Sequence, residues 1–189
     1  VQSALCLIPP GDLWPSMQEI RSVHDKSFLR WPPHVNVLYP FVPEHEFPVA
    51  AARAEQALRR MKPFTVSLAS MSSFQHSKYS HTLWLKPEDG AAEKQEQAGA
   101  RGEEEDAPLQ QLYRLLLQAF PHCDDSIARF QRFVPHLSLG QWKTLEGPPI
   151  AQLEASWEKS SFLVSHVYLI ARSGFHDPFR VVYAVPLGK

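Results

Sequence analysis

The chain has 189 residues, 44% hydrophobic and 21% charged, with a formal net charge of -1. That length supports one sizeable core, or two small lobes that share one. The near-neutral balance argues against broad electrostatic capture of duplex nucleic acid, which needs a basic face, while leaving room for a local nucleotide or RNA-end site. No apolar run approaches the roughly 20 residues of a membrane span. The N-terminus lacks the basic region and apolar stretch of a secretory signal. Cys6 and Cys123 have no metal-ligand spacing and read as free thiols in a reducing compartment, so an intracellular protein, cytoplasmic or nuclear, is expected. A start without Met, directly in an apolar strand, suggests a domain cut from something longer.

Residues 3–8 read as a buried strand ended by Pro9-Pro10-Gly11. Asp12 is a candidate helix N-cap, with Leu13, Met17, Ile20, Val23 and Phe28 in rough helical step behind it. A strand is predicted over 34–41, and a helix over 48–61 with proline at its front. Residues 64–74 and 81–86 read as strands joined by a polar loop, Gln75 to Ser80. Residues 87–107, with repeated Glu and Gln and the run Glu103-Glu104-Glu105-Asp106, read as a solvated, mobile loop. Beyond it come an amphipathic helix over 108–120 (Leu109, Leu112, Leu116 and Phe120 in step), a strand over 133–142, a helix over 150–159, and strands over 162–171 and 179–187.

Both halves thus run helix, strand, helix, strand, strand, with Phe64 and Phe162 in matching places. The pattern predicts an α+β fold over residues 1–189 with two pseudo-symmetric lobes. Lobe 1 spans about 1–86, the acidic loop 87–107 bridges, and lobe 2 spans about 108–189. Each lobe would be a mainly antiparallel sheet with helices packed outside. A pseudo-twofold relation would bring the strands over 34–41 and 133–142 together in a central cleft.

The strands over 34–41 and 133–142 carry matched motifs, Pro33-His34-Val35-Asn36-Val37 and Pro135-His136-Leu137-Ser138-Leu139. Strand alternation puts His34 and Asn36 on one face, and His136 and Ser138 on one face, each opposite apolar residues. An imidazole with a pKa of about 6.5 can accept a proton while a second donates one near neutrality. Asn36 and Ser138 can hydrogen-bond phosphate oxygens and stabilise developing charge. Trp142, Tyr39, Phe41 and Phe74 are candidates for base stacking, and Arg30 for a phosphate contact. By strict alternation Trp142 shares the His136 face, whereas Tyr39 and Phe41 fall on the Val35 and Val37 face and favour core packing. Metal chemistry is the competitor, but no His-Glu-x-x-His helix or Cys cluster accompanies the nine histidines.

The paired motifs, with Arg-Trp-Pro-Pro-His-Val-Asn-Val-Leu-Tyr-Pro-Phe over 30–41 and Phe-Val-Pro-His-Leu-Ser-Leu-Gly over 133–140, resemble the 2H phosphoesterases, also called the 2′-5′ RNA ligase-like superfamily. The wording is similar to eukaryotic members near the phosphoesterase domain of A-kinase anchoring protein 7. The resemblance implies a monomeric phosphodiesterase that needs no metal or cofactor. Its substrate would be a nucleotide or RNA end with a 2′,3′-cyclic phosphate or a 2′-5′ linkage, and neither a membrane nor duplex nucleic acid would be a partner. His34 and His136 carry over as the catalytic pair, and Asn36 and Ser138 as phosphate binders. Asn36 stands where the family usually has Thr or Ser, which bears on rate and substrate preference. The alternatives are a 2′-5′ oligoadenylate phosphodiesterase and a module that binds a nucleotide or RNA end without turnover.

Overall fold

The computed structural model describes residues 2–89, 107–123 and 132–188. Most of the acidic 87–107 segment therefore lies outside the described residues. Among the described residues, eight strands and four helices follow one another as β1 (Ser3–Leu7), α1 (Trp14–His24), β2 (Val35–Leu38), α2 (Phe47–Leu58), β3 (Phe64–Ser77), β4 (Ser80–Glu88), α3 (Pro108–Ala119), β5 (Leu137–Trp142), α4 (Ile150–Ser156), β6 (Ser160–Val164), β7 (His166–Ala171) and β8 (Arg180–Pro186). Proline stands in the first turn of α1, α2 and α3, where its missing N–H costs no helical bond. Asp12 is not an N-cap: it lies in a 3-10 turn over Gly11–Leu13, and Leu13 occupies the cap position without a side-chain bond.

The strands form two antiparallel sheets, β2-β1-β7-β8 and β5-β4-β3-β6. Each sheet draws two strands from either side of residues 87–107, so the lobes are not the contiguous stretches 1–86 and 108–189. The stretch 162–171, expected as one strand, divides at Ser165: β6 pairs with β3 in one sheet and β7 with β1 in the other. The division falls where alternation slips, because Ser165 and His166 are two half-buried polar residues in succession between buried Val164 and Val167. Phe64 and Phe162 are therefore not symmetry mates but sit on neighbouring strands of one sheet, where Val66 pairs with Phe162. β3 and β7 are the strands that correspond, since each pairs with the strand next to a motif strand. The expected loop 75–80 is mostly ladder: β3 and β4 pair as far as Ser77 with Ser80, leaving Lys78 and Tyr79 as the turn.

One apolar cluster underlies both sheets. It takes Leu5, Leu7, Val35, Val37, Val167 and Leu169 from the first, and Leu83, Leu85, Leu137 and Leu139 from the second. Met17, Phe47, Ala54, Leu112 and Leu116 come from the helices. Leu109, Leu112 and Leu116 are buried on one stripe of α3, as their spacing predicts. α1 packs on β5 and α3 on β2, so each of these helices presses on the motif strand of the opposite sheet. β2 and β5 are both edge strands, and they approach each other.

Candidate functional site

His34 and His136 each sit one residue before a motif strand. The strands are shorter than the predicted 34–41 and 133–142, and each ladder begins past its proline, which has no N–H to donate. In both histidines Nδ1 lies against the carbonyl two residues back: Pro32 O at 2.7 Å from His34, and Val134 O at 2.8 Å from His136. A carbonyl only accepts, so each Nδ1 carries the proton and donates it. Each Nε2 is left as the nitrogen without that proton. The two copies of Pro-His thus build the same tautomer twice.

Both imidazoles are half-buried. Burial pushes the His34 pKa down to about 4, helped by the Arg21 guanidinium and by His136, against the Pro32 bond and Asp25. Burial also lowers His136, opposed by its bond to Val134. A proton on His136 would lower His34 further, which disfavours a second proton on the pair.

Asn36 pairs with Cys6 on β1, and Ser138 pairs with Trp84 on β4. The matching pair positions give the two motif strands the same frame. Asn36 encloses its Oδ1 without a hydrogen-bond partner. Cys6 is fully buried beside it, and burial raises its thiol.

Both motif strands are also bulged at the same offset. β2 slips register between Asn36 and Leu38, and β5 between Ser138 and Gly140. Two successive residues, Val37 with Leu38 and Leu139 with Gly140, are consequently buried, and everything downstream changes face. Tyr39 lands not on the Val35 and Val37 face but with Ala4, Cys6, Ile170 and Phe179 on the opposite one, edge-on to Trp31 at 5.5 Å. Trp142 moves the other way: it packs on the main core and stacks on His24 of α1 at 4.1 Å, away from the His136 face. Phe41 is buried in that core against Phe120 at 4.9 Å and is not a site residue.

Phe74 does reach the site, edge-on to His136 at 5.1 Å. Trp84 lies beside both, stacked on Phe74 at 4.8 Å and 6.0 Å from His136, with its buried Nε1 unpaired. Arg30 meets neither histidine; its Nη2 donates to Ser27 Oγ at 3.0 Å. Trp31, Trp84, Arg21 and Asp25 are the residues that sequence reasoning passes over. Trp31 stacks on His34 at 4.4 Å. The buried Arg21–Asp25 pair, 2.9 Å apart, has the i,i+4 spacing that could have flagged it. Arg21 Nη2 donates to Trp31 O at 2.8 Å, which ties the His34 approach to α1. Asp25 and the Lys26 N–H also meet the side chain of Gln141 on β5, at 3.4 and 3.2 Å. α1 therefore fastens the two motif strands to each other. Among the described residues no three His, Cys, Asp or Glu side chains gather as metal ligands, and no helix is long and apolar enough to cross a membrane.

A family model described as the 2′-5′ RNA ligase superfamily matches residues 9–175. Among solved structures, the Thermus thermophilus protein TT0787 is 16% identical with a TM-score of 0.61, the match covering 100% of both chains. E. coli LigT complexed with 3′-AMP is 17% identical with a TM-score of 0.58, over 100% of this chain and 98% of that one. A further crystal structure, described as a phosphoesterase, is 18% identical with a TM-score of 0.59, over 100% and 99%. At such identities the likeness is one of fold. No curated protein matches.

Proposed function

We infer, for a chain that belongs to the 2′-5′ RNA ligase superfamily, that it is a metal-independent phosphodiesterase acting on RNA-derived 2′,3′-cyclic phosphates through His34 and His136. The observation that carries this reading is the duplicated anchoring of the two imidazoles through Nδ1, with Asn36 and Ser138 in equivalent register positions beside them. Pinning Nδ1 selects the tautomer in which Nε2 is free to move a proton. Repulsion between the rings disfavours a second proton, and catalysis uses the pair holding one, in which one ring accepts while the other donates. One Nε2 takes a proton from water as its oxygen bonds to phosphorus. The other gives its proton to the ribose oxygen as that P–O bond breaks, leaving a monoester. The two roles exchange in the reverse direction. Asn36 and Ser138 donate to the nonbridging oxygens, where charge grows.

E. coli LigT has been crystallised with 3′-AMP and with phosphate, which supports a phosphate monoester as ligand here. The wording of residues 30–41 supports closer kinship with the domain of A-kinase anchoring protein 7. The test is incubation with a 2′,3′-cyclic nucleotide and with a 2′-5′ triadenylate in EDTA, beside His34→Ala and His136→Ala. Turnover of the cyclic phosphate that either variant abolishes is the expected result. Preference for the triadenylate would make the chain a 2′-5′ oligoadenylate phosphodiesterase. Binding without product would leave the module that holds a nucleotide without turnover.

A further inference from the structure

A continuous column of rings and guanidinium groups leads from His34 to the surface. Trp31 lies flat on His34, 15° from parallel, and Phe179 packs on Trp31 at 3.9 Å. The Arg172 guanidinium lies 4.6 Å from the Phe179 ring and 4.9 Å from the Phe175 ring. Arg30 lies 5.3 Å from the Phe175 ring. The inner members are closed off, with Phe179 8% and Arg172 4% exposed, whereas Phe175 is 64% exposed. The turn that presents Phe175 is fixed: Phe179 N–H donates to Arg30 O at 2.8 Å, Arg172 Nη1 to Phe175 O at 2.6 Å, and Gly174 N–H to Asp177 Oδ2 at 2.7 Å.

An aromatic ring open to solvent beside the Arg30 guanidinium matches what a single strand of nucleic acid requires. The base stacks on the ring or on a guanidinium plane, and the fixed positive charge meets the backbone phosphate. We propose that Phe175 and Arg30 form a second nucleotide subsite, which holds the residue preceding the terminal nucleotide of an RNA strand. Resting on the phosphodiesterase reading, this assigns the substrate class as oligonucleotide ends rather than free cyclic mononucleotides.

The full chain, Phe175→Ala, Phe175→Trp and Arg30→Gln are compared on a 2′,3′-cyclic mononucleotide and on a short RNA ending in a 2′,3′-cyclic phosphate. The wild type prefers the RNA by about tenfold in kcat/KM, which corresponds to about 1.4 kcal/mol and lies within the range for one stacked base. Phe175→Ala and Arg30→Gln lose most of that preference, and Phe175→Trp keeps it. Equal use of the two substrates by the wild type, or a preference that survives Phe175→Ala, overturns the subsite. Fluorescence anisotropy with the same RNA carrying a 3′-phosphate separates this from a failure of catalysis. If neither substrate turns over but the RNA binds Phe175→Ala about tenfold more weakly than the wild type, the subsite stands and the phosphodiesterase reading falls. Equal binding by the two overturns the subsite.

Discussion

Trp31 lies face to face with the imidazole of His34, ring centroids 4.4 Å apart and planes 15° from parallel. The indole covers one face of the ring, and burial is the main cause of the low His34 pKa. In Trp31→Ala, water regains that face and the pKa of His34 rises from about 4 toward its ordinary value. A histidine-resolved NMR titration of the variant against the wild type measures the shift.

The pH dependence of stability has a definite sign. An unfolded histidine takes up its proton near pH 6.5, and folded His34 near 4. Between those values the unfolded chain binds more protons, so stability rises with pH. The His34 contribution is complete above about pH 6.5 and is lost as the pH falls toward 4. Melting temperatures of the wild type decline across that window more steeply than those of His34→Asn.

The same lowered pKa values set the catalytic profile. The free enzyme needs one imidazole charged and one neutral, so kcat/KM is greatest at a pH below about 6.5. Bound phosphate stabilises the charged ring, so the kcat optimum lies higher than that of kcat/KM. Rate profiles under first-order and saturating conditions separate the two.

Asn36 stands where a hydroxyl is usual in the family, and its enclosed Oδ1 has no partner. An unpaired buried acceptor costs about 1–3 kcal/mol. Asn36→Thr removes that acceptor and supplies a hydroxyl donor. The variant melts no lower than the wild type and turns over a cyclic phosphate faster, checked by calorimetry and steady-state kinetics.

Asp25 is the buried partner of Arg21, with both side chains at most 4% exposed. Removing one member strands a buried charge, so Asp25→Ala loses about 3–5 kcal/mol of stability in urea denaturation. Gly140 faces α1 so closely that an added Cβ would stand 2.5 Å from His24 Cβ and 2.8 Å from its carbonyl carbon. Gly140→Ala therefore forces helix and strand apart, at about 1–3 kcal/mol by the same measurement.

The motifs themselves are legible in the sequence. Alternation places His34 with Asn36 and His136 with Ser138, because both bulges lie beyond these residues. The amphipathic stripe of α3 and the prolines that open three helices are local signals, and the structure carries both. Strict alternation sends Tyr39 and Trp142 to the wrong faces, because a bulge leaves the composition of a strand unchanged while reversing everything past it. The division at Ser165, which sends β6 and β7 to different sheets, rests on pairing partners far away in the chain.

Side-chain identity and strand period are local properties, so the order of residues alone sets the chemistry available: two imidazoles, each with a small hydrogen-bonding neighbour. Which nitrogen of each ring is free, and how far burial lowers its basicity, depends on the folded arrangement. So does the set of aromatic residues around the pair, which is Trp31, Phe74 and Trp84 rather than Trp142 and Phe41. Register and sheet membership rest on contacts between residues distant in sequence, and those contacts exist only once the two sheets have formed.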